Sequence, residues 1–83
     1  MQYVYVLKSK KDKHFYVGRT NNLKQRLAQH DAGYVDSTKE RRPLQFVYAE
    51  MSQDIRDADR REKYLKSAWG KRYLKNRLKN DIA

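Results

Sequence analysis

Five side chains, Tyr5, Tyr16, Arg26, His30 and Glu62, could do chemistry together: a phenol pair, a guanidinium, an imidazole and a carboxylate. A carboxylate can hold a divalent cation, typically Mg2+, which prefers few protein ligands and several waters. An arginine can neutralise the charge that builds on a phosphorane. A tyrosine can move a proton, provided its neighbours bring its pKa well below the usual ~10. Other chemistries lack their parts. No serine sits with a base and there is no cysteine, so there is no acyl-transfer triad. There is no glycine-rich phosphate loop and no paired His or Cys spacing for zinc. What remains suits phosphodiester chemistry. Each residue also has a plainer role available. Glu62 could form a salt bridge to one of many arginines. Arg26 could pair with Glu62 or lay its stem over neighbouring leucines. His30 could be a hydrogen-bonded, half-buried imidazole.

The elements that must position these groups belong to a chain of 83 residues, expected to be one domain over residues 1–83. Such a chain has a modest core and, without cysteine, no disulfide staple. Its 20 Lys and Arg against 10 Asp and Glu give a net charge of +10. That excess predicts a polyanionic partner, and nucleic acid is the commonest. Lack of cysteine fits a reducing, cytoplasmic setting. There is neither a signal-peptide apolar region nor a membrane span. The C-terminal third is basic and amphipathic, but acids interrupt it too often for a membrane-surface helix.

Tyr3–Leu7 has the β-branched and aromatic composition of a strand, with Val4 and Val6 on one face and Tyr3, Tyr5 and Leu7 on the other. The polar loop Ser9–Lys13 predicts a hairpin with a return strand His14–Val17, placing Tyr5 and Tyr16 close together on one side. Gly18 is expected to end that strand, permitting a sharp turn or a close backbone approach. Asn22 is a plausible N-cap for a helix Leu23–Ala32, and Gly33 its stop. At about 100° per residue, Leu23, Arg26, Leu27 and His30 share one stripe of that helix. A loop Tyr34–Arg42 leads through Pro43 into a third strand, Leu44–Glu50. Ser52 or Asp54 caps a second helix running to about Ser67. Ile55, Ala58, Glu62, Leu65 and Trp69 form its stripe, with Glu62 in the middle. Gly70 is expected to break that helix, leaving a basic helix Lys71–Lys79 anchored by Tyr73, Leu74 and Leu78. The fold class is α+β: a small three-stranded antiparallel sheet flanked by helices, in the order β-β-α-β-α-α.

With these residues in place, the chain resembles the GIY-YIG nuclease domain family, especially its small stand-alone bacterial branch. The first tripeptide corresponds to Tyr3-Val4-Tyr5 and the second to Tyr16-Val17-Gly18. Arg26 stands ten residues beyond Tyr16, and His30 four further on, as the family's arginine and its His-or-Tyr position do. Ser37-Thr38-Lys39 before Arg41-Arg42-Pro43, and Arg61–Gly70 with its glutamate, also look like segments of the stand-alone branch. Tyr3 replaces the first glycine, and valines replace both isoleucines.

The resemblance implies the same fold and a set of roles. Tyr16 would be the general base or would orient water, Tyr5 would hydrogen-bond within the site, Arg26 would stabilise the transition state, and His30 would assist proton transfer near Tyr16. Glu62 would hold one Mg2+ or Mn2+ that neutralises the leaving oxygen. Arg19, Lys39, Arg41 and Asn76, with Asn80 behind it, are candidates for nucleic-acid contact. The implied activity is metal-dependent endonucleolytic cleavage of DNA, structured or damaged DNA included, in DNA repair or in restriction of foreign DNA. RNA is not excluded as the partner. The alternative is a nucleic-acid-binding module on the same fold with little or no cleavage.

Overall fold

A computed structural model describes residues 1–80 of the chain. The elements are β1 (Gln2–Ser9), β2 (Phe15–Thr20), α1 (Leu23–Ala32), a short 3-10 turn (Lys39–Arg41), β3 (Leu44–Ser52), α2 (Ile55–Lys66) and α3 (Ala68–Arg77). This is the expected α+β order β-β-α-β-α-α. The sheet is antiparallel, with strand order β2-β1-β3. The most apolar strand, β1, is therefore central, and β2 is an edge.

Alternation along the strands divides the sheet into two faces. Val4, Val6 and Val17 pack with Ala58 and Leu65 of α2 and with Leu74 and Leu78 at the α3 end, and Phe15, Val47 and Tyr48 complete this core. The opposite face carries Tyr5, Leu7 and Tyr16, and α1 brings His30 there. The β1–β3 register shifts between Val6 and Leu7, so Val6 faces Tyr48 while Leu7 faces Phe46, the mark of a bulge. Glu50 on β3 receives a forked pair of bonds from Arg61 of α2, at 2.8 and 2.6 Å, and a bond from the Tyr48 hydroxyl at 2.8 Å. Arg61 holds the Glu50 carboxyl below its usual range, and burial pushes the Tyr48 phenol up.

Local signals set the helix ends. Asn22 accepts from Gln25 N–H, and Gly33 closes α1 in the left-handed conformation at φ 81°. Asp54, not Ser52, caps α2 by accepting from Arg56 N–H. Two expectations are corrected at the C-terminal end. The break lies at Ser67, not Gly70. Ser67 ends α2, and its hydroxyl accepts from Gly70 N–H to start α3. Gly70 is the third residue of α3, buried, where a Cβ would run into the Tyr64 carbonyl and the Leu65 backbone. Glycine here permits close helix approach. Because the helix breaks before Trp69, that side chain leaves the α2 stripe and stands 68% exposed; Ile55 is also exposed. The anchors of α3 are Leu74 and Leu78, while Tyr73 is partly exposed.

Gly18 is the third correction. It lies within β2, opposite Tyr5, and the strand continues to Thr20. Its use is the close approach: a Cβ on Gly18 would fall within about 2.5 Å of Tyr5 Cζ. The Tyr5 ring lies across the space where a side chain would stand. Gly18→Ala is therefore expected to overpack the site by about 1–3 kcal/mol, seen as a drop in melting temperature of several degrees. Combining it with Tyr5→Leu should cost clearly less than the sum of the single changes; strict additivity in urea unfolding would show that the two positions do not collide.

Candidate active site

Tyr5 is fully buried on the α1 side of the sheet. A buried phenol needs a partner, and this one has two. Its hydroxyl lies 2.7 Å from His30 Nε2 and accepts from Arg26 Nε at 3.4 Å. His30 is 1% exposed, and its Nδ1 lies 2.7 Å from Oγ1 of the fully buried Thr38. Arg26 also donates from Nη1 to Gln29 Oε1 at 3.1 Å. A line of hydrogen bonds thus runs Gln29–Arg26–Tyr5–His30–Thr38. Among the described residues, no buried side-chain nitrogen or oxygen lacks a partner.

Spacing explains how one helix supplies this line. Arg26, Gln29 and His30 are three and four residues apart on α1, so they share a face. The pairing with Glu62 suggested for Arg26 does not occur: Arg26 binds Tyr5 and Gln29, and Glu62 binds Arg19 and Lys66. Thr38 comes from the loop before the 3-10 turn, which the hairpin fixes in turn. Ser9 donates to the Arg41 carbonyl at 2.6 Å, and Arg41 binds Asp12 at 2.9 Å and the His14 carbonyl at 3.1 Å.

Charge follows from burial. Burial, and then the neighbouring Arg26 cation, lower the His30 pKa from 6.5 to about 4. His30 is therefore neutral at pH 7. The line is satisfied when Tyr5 donates to Nε2 and Nδ1–H donates to Thr38. Burial raises the Tyr5 pKa despite Arg26, so Tyr5 keeps its proton. The bond to Tyr5 raises that of Arg26, with Tyr16 a further contributor, so a permanent cation stands beside both phenols.

Tyr16 differs from Tyr5 in being only half-buried. Its ring packs 6.3 Å from Tyr5 and edge-on to His30 at 5.2 Å, between centroids. It also lines a cleft of about 270 Å3 with Phe15, Val17, Leu65, Lys66 and Lys71. Of the phenol pair, Tyr16 is the one a substrate can touch, while Tyr5 and His30 hold it from behind.

Glu62 approaches from α2. Its oxygens meet Arg19 Nε at 3.4 Å and Lys66 Nζ at 3.2 Å. Lys66 links the two halves, because it pairs with Glu62 and lines the Tyr16 cleft. Arg19 also reaches Asp59 at 3.9 Å. No group of three or more His, Cys, Asp or Glu gathers among the described residues. A cation held here would therefore keep a mostly aqueous shell, which suits Mg2+ or Mn2+ and not zinc. One partly exposed carboxylate with no competing imidazole or thiolate fits such an ion.

The remaining candidates lie elsewhere. Arg41 is bound up in the hairpin, and Lys39 pairs with Asp36 at 3.6 Å. Asn76 is exposed on α3, on the side away from Leu74 and Leu78, and Asn80 follows the helix. Patterning passed over Gln29 and gave Thr38 and Lys66 no role, although both lie in the segments that resemble the stand-alone branch. Lys66 had a local signal, lying one turn from Glu62; Thr38 had none, because its partner is eight positions away across a loop.

The buried imidazole has a measurable consequence. The folded pKa of His30, about 4, lies below the unfolded 6.5, so its contribution to stability is complete above pH 6.5 and is lost as pH falls toward 4. Urea unfolding is expected to show a loss on the order of 2–3 kcal/mol across that window, and His30→Gln should flatten it. Asp12, lowered to about 2 by Arg41, adds its own loss only at lower pH. An unchanged slope between pH 6.5 and 4.5 in His30→Gln would assign the effect to other groups.

The GIY-YIG catalytic domain model matches residues 1–79. A UPF0213 protein of Clostridium perfringens is 43% identical over 67 residues, covering 80% of this chain and 71% of the relative. Another, of Staphylococcus haemolyticus, is 44% identical over 66 residues, covering 78% of this chain and 79% of the relative. A third, of Staphylococcus saprophyticus, is 35% identical over 74 residues, covering 88% and 89%. No solved structure matches. Tripeptides, arginine, histidine and glutamate thus stand in a fold that the family model spans almost throughout, and the chain belongs to the GIY-YIG family of endonuclease domains.

Proposed function

We propose that this chain is a divalent-metal-dependent endonuclease that hydrolyses phosphodiester bonds in DNA, structured or damaged DNA included. One observation carries this: Tyr16 alone of the phenol pair lines the cleft, backed by the buried Tyr5–His30–Thr38 line that Arg26 joins from its partly exposed end. Tyr16 takes the proton of the attacking water or orients that water. Arg26, fixed by Tyr5 and Gln29, turns its charge toward the phosphate, where charge grows in the transition state. His30 holds Tyr5 and packs against Tyr16, so its part in proton movement is to keep both phenols in place. Glu62 would hold the ion, one Mg2+ or Mn2+, exchanging an Arg19 or Lys66 contact for it. When bound, that ion supplies positive charge to the phosphate and its leaving oxygen.

A second function has an observation of its own. Both Glu62 oxygens are engaged by cations, the state of a structural ion pair, which favours a nucleic-acid-binding module with little cleavage. Supercoiled plasmid and branched DNA separate the two. With Mg2+ or Mn2+ the wild type is expected to nick, and EDTA to stop it. Glu62→Ala, Arg26→Ala and Tyr16→Phe should each lower the rate by roughly 100-fold or more, with gel-shift affinity within a few-fold of wild type. Equal nicking by wild type and Glu62→Ala would sink the nuclease assignment, and a salt-sensitive gel shift without nicking would establish the binding module.

A further inference from the structure

The Tyr16 cleft does not end at the site. A second cleft, of about 210 Å3, is lined by Lys13, His14, Phe15, Lys71 and Lys75. The two clefts share Phe15 and Lys71, so they adjoin in a trough along β2 and the end of the hairpin turn that leads into it, with the end of α2 and α3 on the other side. Among the described residues four lysines line it, Lys66, Lys71, Lys75 and Lys13, and no carboxylate does. Lys66 is tied to Glu62 at the Tyr16 end. Lys13, Lys71 and Lys75 pair with no acid among the described residues. Lys71 and Lys75 are four residues apart on α3, hence on one face. Lys13 reaches the trough from the hairpin turn at φ 66°, a left-handed position that turns the chain there.

We propose that this trough is the track of the nucleic-acid strand leading away from the scissile phosphate, gripping its backbone through Lys71, Lys75 and Lys13. The proposal rests on Tyr16 marking the reacting phosphate, and it adds a direction and a mode of contact. Lysine ammoniums are compact point charges that suit phosphate oxygens and carry no fork to read a base edge. Phe15, the one apolar aromatic in the lining, packs into the core. Recognition along this track is therefore of backbone charge, not of base sequence. The line of cations starts at the Tyr16 cleft and runs to the hairpin, so one continuous strand can occupy both ends. An acidic peptide would satisfy the lysines but not that continuity with the site.

Binding tests this without requiring cleavage, so its failure is separable from failure of the nuclease assignment. Fluorescence anisotropy with a labelled single-stranded DNA oligonucleotide would be measured in EDTA over a range of salt, using full-length Glu62→Ala. Adding Lys71→Gln and Lys75→Gln is expected to weaken binding about tenfold or more and to reduce the slope of log K against log salt by about 1.4, roughly 0.7 for each phosphate left without its lysine. Lys13→Gln should reduce it by roughly 0.7 more. The control pair, Arg56→Gln and Arg60→Gln, removes equal charge from exposed α2 positions bound to Asp54 and Asp57, and its slope should stay near the parent's. Thermal melts establish that each variant is folded, and any single replacement that melts early is exchanged for the corresponding Lys→Arg, expected to bind like the parent. Equal weakening by trough and control pairs would reduce the binding to net charge and overturn the track. So would an unchanged slope in the trough variants, or polyglutamate competing as well as unlabelled DNA.

Discussion

The buried hydroxyl of Tyr5 is the constraint on which the rest depends. A phenol fully removed from water costs several kcal/mol if left without a partner, and the central strand puts it where the sheet alone can offer none. Two things make the position tenable. Gly18 on the neighbouring strand gives up its side chain so that the ring can lie flat across it. His30 and Arg26 then reach the hydroxyl from α1. Each solution raises a further demand. His30 is itself buried, so its second nitrogen needs Thr38, which orders the loop after α1. That loop is held in turn by Arg41 on the hairpin. The network that keeps the phenol buried also fixes Arg26 through the Tyr5 hydroxyl and packs His30 against Tyr16, the phenol that lines the cleft.

The sheet separates two kinds of work. One face is an apolar seam closed by α2 and α3, and the other is polar and carries the tyrosine–histidine line. Glu62 belongs to the helix on the apolar side, whereas Tyr5 and His30 lie on the other. The edge position of β2 bridges the two. Only at an edge can side chains from both faces converge without crossing the sheet, and the cleft with Tyr16 on one wall and Lys66 on the other lies there. An unpaired edge normally invites pairing with another chain. Here the lysines of α2, α3 and the hairpin line that edge, and charged side chains are among the features that guard such an edge.

How much of this was legible in the sequence depended on whether the governing contact was local. The bounds of α1 were, because Asn22 and Gly33 act within a turn of their own backbone. The site residues Tyr5, Tyr16, Arg26 and His30 could be grouped because alternation and the helical stripe are local periodicities, and the structure brings them together. Gly70 misled for a definite reason. Glycine signals both a helix stop and a close approach, and only the packed Leu65 backbone decides which. Trp69 followed from that error, since a stripe counted through a break assigns the wrong face. Gly18 posed the same ambiguity, decided by a tyrosine on another strand. Thr38 and the bulge at Val6 and Leu7 had no local signature, because both are fixed by partners distant along the chain.

Net charge conceals a division between the two kinds of cation. The arginines nearest the site and the hairpin are committed within the chain: Arg26 to Tyr5 and Gln29, Arg19 to Glu62 and Asp59, Arg41 to Asp12 and the hairpin carbonyls, Arg61 to Glu50, Arg42 to the Lys39 and Asp31 carbonyls. Their planar, multi-donor heads suit this, since one guanidinium can tie several acceptors at fixed angles. The cations lining the trough are lysines, flexible and strongly hydrated, whose single charge needs no fixed angle to meet a phosphate. A +10 chain therefore does not offer ten equivalent positive charges to a polyanion. It commits many of its directional cations to contacts within the chain, and the lysines where β2 meets α3 are among the exposed cations that remain.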